Sequence, residues 1–314
     1  MEIIVEKFYF GKTLKMLRVN VPFRYGLALL VFLGTLVNYA TRVNINIAIL
    51  EMTRNSTTLC ANEPDDVNSV INEQGQTVFC WSNWEQGYIK TAFYYGYPLT
   101  QLIGGYMAEK FGTRLVFGLQ NFLAAVLVIL TPWAAEGGVW LLVALRFVMG
   151  LIEGVTYPSL PPLITKWIPV TERARFVSFS YLGGAFGSAV AFPICGYILE
   201  DIGWEAVFYV FGGVTIAWSL IWLFLVTDEP ENNRFTSSTE KIHILATRGE
   251  KVDHKTQKVP IVSILTSPTI WIVMICDFAN IWGILVMITE GPNFIDKILK
   301  QKISTVNILT TLSK

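Results

Sequence analysis

Long apolar runs separated by short polar connections fill most of the sequence, and their length decides the fold class. A helix needs roughly 20 mostly apolar residues to cross the hydrocarbon core of a bilayer. Seven runs meet that length, at positions 23–50, 86–108, 115–133, 139–164, 176–199, 206–226 and 269–288. Lipid offers the backbone no hydrogen bonds, so such segments satisfy their amides internally, as helices. The pattern predicts an all-α, polytopic membrane protein. No small-residue cleavage site follows the basic N-terminal tail, so the first run is read as a retained span rather than a signal peptide.

The connections set the orientation, because Lys and Arg collect on the cytoplasmic side. With the N-terminus inside, that side receives Lys7, Lys12, Lys15, Arg18 and Arg24 of the tail, and Lys110 and Arg114 after span two. It also receives Lys166, Arg173 and Arg175 after span four, and a basic stretch from Arg234 to Lys258. Before span seven the outer connections hold Arg54 alone, while Lys297, Lys300 and Lys302 at the end fall on the opposite side. The loop between spans one and two supports the same orientation. It carries Asn55-Ser56-Thr57, a glycosylation sequon of a kind that also arises by chance, together with Cys60 and Cys80. These are the only cysteines outside the spans and form a candidate disulfide. Cys195 and Cys276 fall within apolar runs and read as core fillers.

Composition narrows the function. The chain has 314 residues, 53% apolar and 15% charged, with 24 Lys+Arg against 24 Asp+Glu. So little charge excludes most soluble enzyme folds. A zero net charge with dispersed basic residues offers nucleic acid no basic groove, and the expected partner is the lipid bilayer. Only two histidines are present, His243 and His254, too few for a multi-histidine metal site. No cofactor is called for. No nucleophile, base and orienting group fall together in the spans, so the chain is not read as an enzyme.

Arg42, Lys90, Arg146 and Glu153 lie inside the spans. A charge at the centre of an inserted helix costs about 2.5–3.5 kcal/mol, so an interaction must offset it. At about 1.5 Å of rise per residue, the three cations fall in the outer half of the membrane. Converging there, they make a basic cavity for a small anion, with guanidinium groups that hold carboxylate or phosphate through paired hydrogen bonds. Lys90 is also close enough to the outer surface to extend its ammonium there, an equally good reading. Arg42 has Asn38 and Asn46 one turn to either side, a polar stripe that favours a cavity. On a continuous helix Arg146, Gly150, Glu153, Gly154 and Tyr157 share one face. A direct Arg146–Glu153 bond would have to reach across about 10 Å of helix rise. Their roles are therefore read separately: Arg146 holds an anion, Glu153 exchanges a proton in a dry site, and Tyr157 donates to either.

Glycines recur where helices must cross closely, at Gly104 with Gly105, Gly150 with Gly154 and Gly183 with Gly187. Pro158, Pro161 and Pro162 close span four and release backbone carbonyls, which suits a gate or a plain helix end equally.

These residues carry a resemblance. The segment from Gly105 to Arg114, with Glu109, Lys110 and Gly112, resembles the GxxxDRxGRR loop of the major facilitator superfamily, with Glu for Asp and Lys for the first Arg. In that superfamily the loop pairs charges across the cytoplasmic mouth. The resemblance implies gate roles for Glu109, Lys110 and Arg114, and for Glu172, Arg173 and Arg175 in the corresponding place after span four. More narrowly, the chain is similar to the anion/cation symporters that include sialin, the vesicular glutamate transporters and the sodium-phosphate cotransporters. Asn38-Tyr39 with Arg42 and Asn44, Tyr95-Gly96-Tyr97 with Thr100-Gln101, Gly150 to Pro158, Lys166-Trp167 and Gly203-Trp204 carry that similarity. It implies secondary active transport of organic or inorganic anions, of the sialic acid, acidic amino acid or phosphate class, driven by protons or sodium through alternating access. It further implies substrate contacts for Arg42, Arg146, Tyr157, Asn38 and Lys90, proton coupling at Glu153, and a plasma or lysosomal/vesicular membrane. Asn280 stands where the vesicular glutamate transporters carry a basic residue, and Lys90 where they carry a histidine. The first departure argues against glutamate as a vesicular cargo, and the stretch from Asp277 to Gly283 with Thr289-Glu290-Gly291-Pro292 is more similar to the invertebrate sialin-like or inorganic phosphate cotransporter branch.

The same resemblance divides the chain into a six-helix bundle at 1–227, a cytoplasmic interdomain loop at 228–260, and the first helix of an incomplete second bundle at 261–314. A chain truncated in this way is expected not to transport alone. The span count by itself would also suit a seven-helix receptor, against which stand the cytoplasmic N-terminus, the loop after span two and the basic cluster. The remaining alternative is a non-transporting truncation that regulates a full-length carrier.

Overall fold

The structure is a computed structural model that describes residues 2–4, 18–20, 22–53, 60, 69–71, 77–249 and 266–297. Asn55, the tail cations Lys7, Lys12 and Lys15, and His254 lie outside the described residues. Helices dominate: α1 (Phe23–Met52), α2 (Asn83–Phe111), α3 (Thr113–Glu136), α4 (Val139–Glu153) and α5 (Leu160–Trp167). They continue with α6 (Arg173–Asp201), α7 (Trp204–Leu225), α8 (Ser238–Thr247) and α9 (Pro268–Lys297). Two antiparallel ribbons pair β1 (Glu2–Ile4) with β2 (Arg18–Asn20), and β3 (Ser69–Ile71) with β4 (Thr77–Phe79). By length and composition alone, α1, α3, α6 with the turn that leads into it, and α7 can each cross a membrane. The longer α2 is diluted by Lys90, Gln101 and its tyrosines.

The fourth predicted span is two helices rather than one. α4 ends at Glu153 and α5 begins at Leu160, with turns between them. Gly154 weakens the helix, and Pro158 has no N–H to continue it. Side-chain hydroxyls take up backbone carbonyls in the turns: Thr156 Oγ1 donates to Glu153 O at 2.6 Å and Ser159 Oγ to Thr156 O at 2.7 Å. Pro161 and Pro162 then fall in the first turn of α5, where a missing N–H costs no helical bond. The continuous face expected to run from Arg146 to Tyr157 therefore stops at Glu153, and Tyr157 reaches the site from a turn.

Helix pairing runs through glycine. A Cβ at Gly150 on α4 would strike the carbonyl of Phe93 on α2, and one at Gly96 on α2 the carbonyl of Phe147 on α4. Gly183 and Gly187 on α6 meet the carbonyls of Phe32 and Leu36 on α1 in the same way. Threonines seal these seams: Thr100 Oγ1 donates to Leu151 O at 2.7 Å and Thr35 Oγ1 to Ser180 O at 2.8 Å. Small residues let backbones approach and supply the dispersion contacts that hold helices together in lipid. α3 packs on α7, and α1 contacts α7 and α9.

The two ends of the bundle are finished differently. At one end Cys60 and Cys80 are disulfide-bonded, and Phe79 and Trp81 are buried among Ile49, Met52, Ile89 and Trp204. At the other end α8 docks under the start of α1, with Ile244 buried beside Trp167, Trp222 and Val226. There α1 has no side-chain cap and no acidic residue in its first turn. Glu240 of α8 supplies both, accepting the N–H groups of Phe23 at 2.8 Å and Arg24 at 2.9 Å.

Candidate functional site

The glycine seam between α2 and α4 sets Phe93 and Tyr97 against Arg146, Gly150 and Glu153, and α1 brings Arg42 to the same place. Arg42 is 6% exposed, Arg146 2% and Glu153 0%. The Arg42 guanidinium grips one carboxylate oxygen, with Nη2 at 3.2 Å and Nε at 3.3 Å from Glu153 Oε2. Nη2 also donates to Asn38 Oδ1 at 3.4 Å, and Asn38 Nδ2 donates to Asn121 Oδ1 of α3 at 3.2 Å. Three rings surround the cation, with centres 4.4 Å (Tyr39), 4.8 Å (Phe93) and 4.7 Å (Tyr97) from the guanidinium carbon. Ring faces attract a cation most strongly where water is excluded.

Arg146 approaches from the other side of Phe93, whose ring centre is 5.9 Å from its guanidinium carbon. Its Nη2 donates to the backbone carbonyl of Arg42 at 3.2 Å, and Nη1 lies 3.8 Å from Met149 Sδ. The two guanidiniums thus meet inside the protein instead of facing lipid. Arg146 Nε and Glu153 Oε1 are buried with no hydrogen-bond partner. Among the described residues, two cations here face one carboxylate, which leaves one positive charge uncompensated, and the orphaned donor and acceptor mark polar capacity still to be filled. The buried amides of Asn44 on α1 and Gln120 on α3 are unpartnered too.

The sequence reading keeps Arg146 and Glu153 apart and names no partner for the carboxylate; the structure binds it to Arg42, because the helix rotation fixed by the glycine contacts turns the two together. Tyr157 sits beside this group, its ring 6.1 Å from that of Tyr39 and stacked at 4.6 Å on Tyr181 of α6. Lys90 is buried at 5% exposure, and its Nζ lies 3.6 Å from Glu290 Oε1 on α9. The ammonium therefore does not extend to the surface.

The sequence-predicted gate residues all lie at the α8 end, and two of the six, Arg114 and Arg173, bind backbone carbonyls. Arg114 donates through Nε to Leu223 O at 2.9 Å and through Nη2 to the same carbonyl, while its N–H donates to Asp228 Oδ1 at 2.8 Å. Arg173 donates to the carbonyls of Ile168, Thr165 and Arg248. Glu172 pairs with Arg24 at 3.3 Å, and Lys110 lies over the rings of Tyr106 and Phe111. Glu109 and Arg175 are exposed. The sequence reading gives no site role to Asp228, Glu240 or Glu290. Ser237 caps α8, its Oγ accepting the Glu240 N–H at 3.3 Å.

The family profile described as Major Facilitator Superfamily matches residues 31–306. Sialin of Homo sapiens is 34% identical over 297 residues, covering 92% of this chain and 60% of sialin. Vesicular glutamate transporter 1 of Xenopus tropicalis is 30% identical over 297 residues, covering 93% of this chain and 50% of that protein. The crystal structure of a D-xylose-proton symporter superposes with a TM-score of 0.61 at 19% identity, covering 90% of this chain and 64% of that one. The chain spans 50% to 60% of the length of these two curated relatives.

Proposed function

The chain belongs to the Major Facilitator Superfamily, and from that premise we propose that it forms the anion-holding part of a multi-pass secondary active transporter. The six spans of the bundle at 1–227 would carry the site, with the N-terminus and α8 on the cytoplasmic side. The substrate is a small anion of the sialic acid, acidic amino acid or phosphate class. The observation that carries this reading is the buried excess of one positive charge at Arg42, Arg146 and Glu153.

Glu153 compensates Arg42 while it is ionised. A proton on Glu153 removes that compensation, frees Arg42 donors and raises the charge of the site by one. The site then attracts an anion most strongly when the proton is also aboard, and loss of either loosens the other, which is the linkage a symporter needs. Arg146 supplies the second set of guanidinium donors, and Asn38 and Tyr157 offer neutral hydrogen bonds beside it. Glu109, Lys110, Arg114, Glu172, Arg173 and Arg175 form the fixed half of the cytoplasmic gate. The vesicular glutamate transporter among the relatives supports an acidic solute, and the disulfide at the opposite end supports the orientation.

The test is uptake by liposomes holding the full-length protein, offered phosphate, sialic acid and glutamate under an inward proton gradient. Accumulation of one anion, abolished by a protonophore, is the expected result. Uptake driven by a sodium gradient with no dependence on the proton gradient would remove Glu153 from the coupling role, and transport of cations instead of anions would overturn the reading.

A further inference from the structure

Lys90 and Glu290 join two stretches of chain that the loop after α7 separates. Lys90 lies seven residues after the first residue of α2, and Glu290 seven before the last residue of α9, so both sit about 10 Å in from a helix end. That end of α2 is the disulfide end, because Cys80 lies just ahead of Asn83. Lys90 is 5% exposed and Glu290 60%, with Nζ and Oε1 3.6 Å apart. An ammonium buried in an apolar span is costly unless it is neutralised. Here the neutralising charge comes from a different helix, whose own carboxylate is mostly exposed at the surface of the described residues.

The residues that follow Glu290 make that helix able to bend. Gly291 and Pro292 come next, and a proline has no N–H to offer the carbonyl four residues earlier. The carboxylate thus sits next to two residues that weaken α9. Both partners are specified by charge rather than by shape, so the contact can break and re-form without repacking a core.

We infer that the Lys90–Glu290 pair is the latch that closes the outer mouth between the bundle and α9, and that it breaks in each cycle to admit or release the anion. This inference rests on the transporter reading above. Lys90 then acts as a positioning residue for the moving helix and does not hold the substrate. The latch is closed in the structure described.

The experiment uses the full-length protein in membranes treated with a water-soluble carbodiimide, which condenses the Lys90 amine and the Glu290 carboxyl into an amide with loss of water. Mass spectrometry of the digest should find the joined peptides in the wild type and lose them in Lys90→Arg and Glu290→Gln, and the joined protein should stop taking up anion. In parallel, Lys90→Glu and Glu290→Lys should each lower the maximal uptake rate about 10-fold with little change in KM, and the double reversal should recover most of it. A missing cross-link in a protein that transports normally overturns the latch. So does a double reversal no better than the worse single variant. Lys90→Ala that raises KM while Glu290→Gln has no effect would return Lys90 to the substrate site. A cross-link in a protein that carries no anion overturns the transporter reading instead, since the cross-link is read without any transport.

Discussion

At the α8 end of the bundle Arg114, Arg173 and Glu240 aim their charges at backbone groups of helix termini: the carbonyls of Leu223, Ile168 and Thr165, and the amides of Phe23 and Arg24. In the middle of the bundle Arg42 and Glu153 are bound to each other, and Arg146 Nε and Glu153 Oε1 have nothing to bind. Helix termini leave orphan amides and carbonyls, and a charged side chain that caps them is fully used in holding the fold. The central group is left with one charge and two polar atoms to spare. Similar residue types therefore serve stability in one region and keep binding capacity in the other.

That contrast is sharpest in a pair of truncations. Arg42→Ala strands a buried carboxylate and should destabilise the protein by about 3–5 kcal/mol, read as a large drop in the Tm of the detergent-solubilised protein. Arg146→Ala strands no carboxylate and should lower Tm far less, yet weaken anion affinity by about 100-fold, since charge-assisted donors are lost. Equal Tm losses for the two would erase the distinction between them. Glu153→Gln keeps the shape and one hydrogen-bond acceptor. It should still exchange anion across the membrane but fail to concentrate it under a proton gradient, and normal concentration would take the coupling role away from Glu153.

The end region should respond on a smaller scale. Glu240→Ala removes the cap of α1 and should cost about 1 kcal/mol, a few degrees of Tm, with anion affinity unchanged. A loss of affinity there would mean that the end and the centre are coupled. Glu172→Gln breaks a partly exposed pair with Arg24 and should shift stability by no more than about 1 kcal/mol, the smallest effect of the set.

Much of this was legible in the sequence, for a physical reason. Lipid imposes its demand on each helix separately, so the apolar runs located the spans within a few residues of α1, α2, α3, α6 and α7. The break after Glu153 was hidden because the residues around Pro158 remain apolar, and hydropathy does not register a missing N–H. Arg42, Arg146 and Glu153 stood out as charges in an apolar setting. Their pairing did not, because it depends on how α1, α2 and α4 rotate against one another, which is settled by contacts such as Gly150 on Phe93. The rings around Arg42 gave no signal of their own, since a tyrosine beside a span usually marks an interface.

The contact between Glu240 and the first amides of α1 spans 217 residues of sequence, and this sets an order of events during synthesis. A ribosome adding about 5–20 residues per second leaves those amides without their carboxylate for roughly 10–40 s. Through that interval the N-terminal tip of the first helix is satisfied by water alone. Removing the carboxylate would prolong this exposure indefinitely, so quality control of the nascent chain should notice the change before any assay of cargo does.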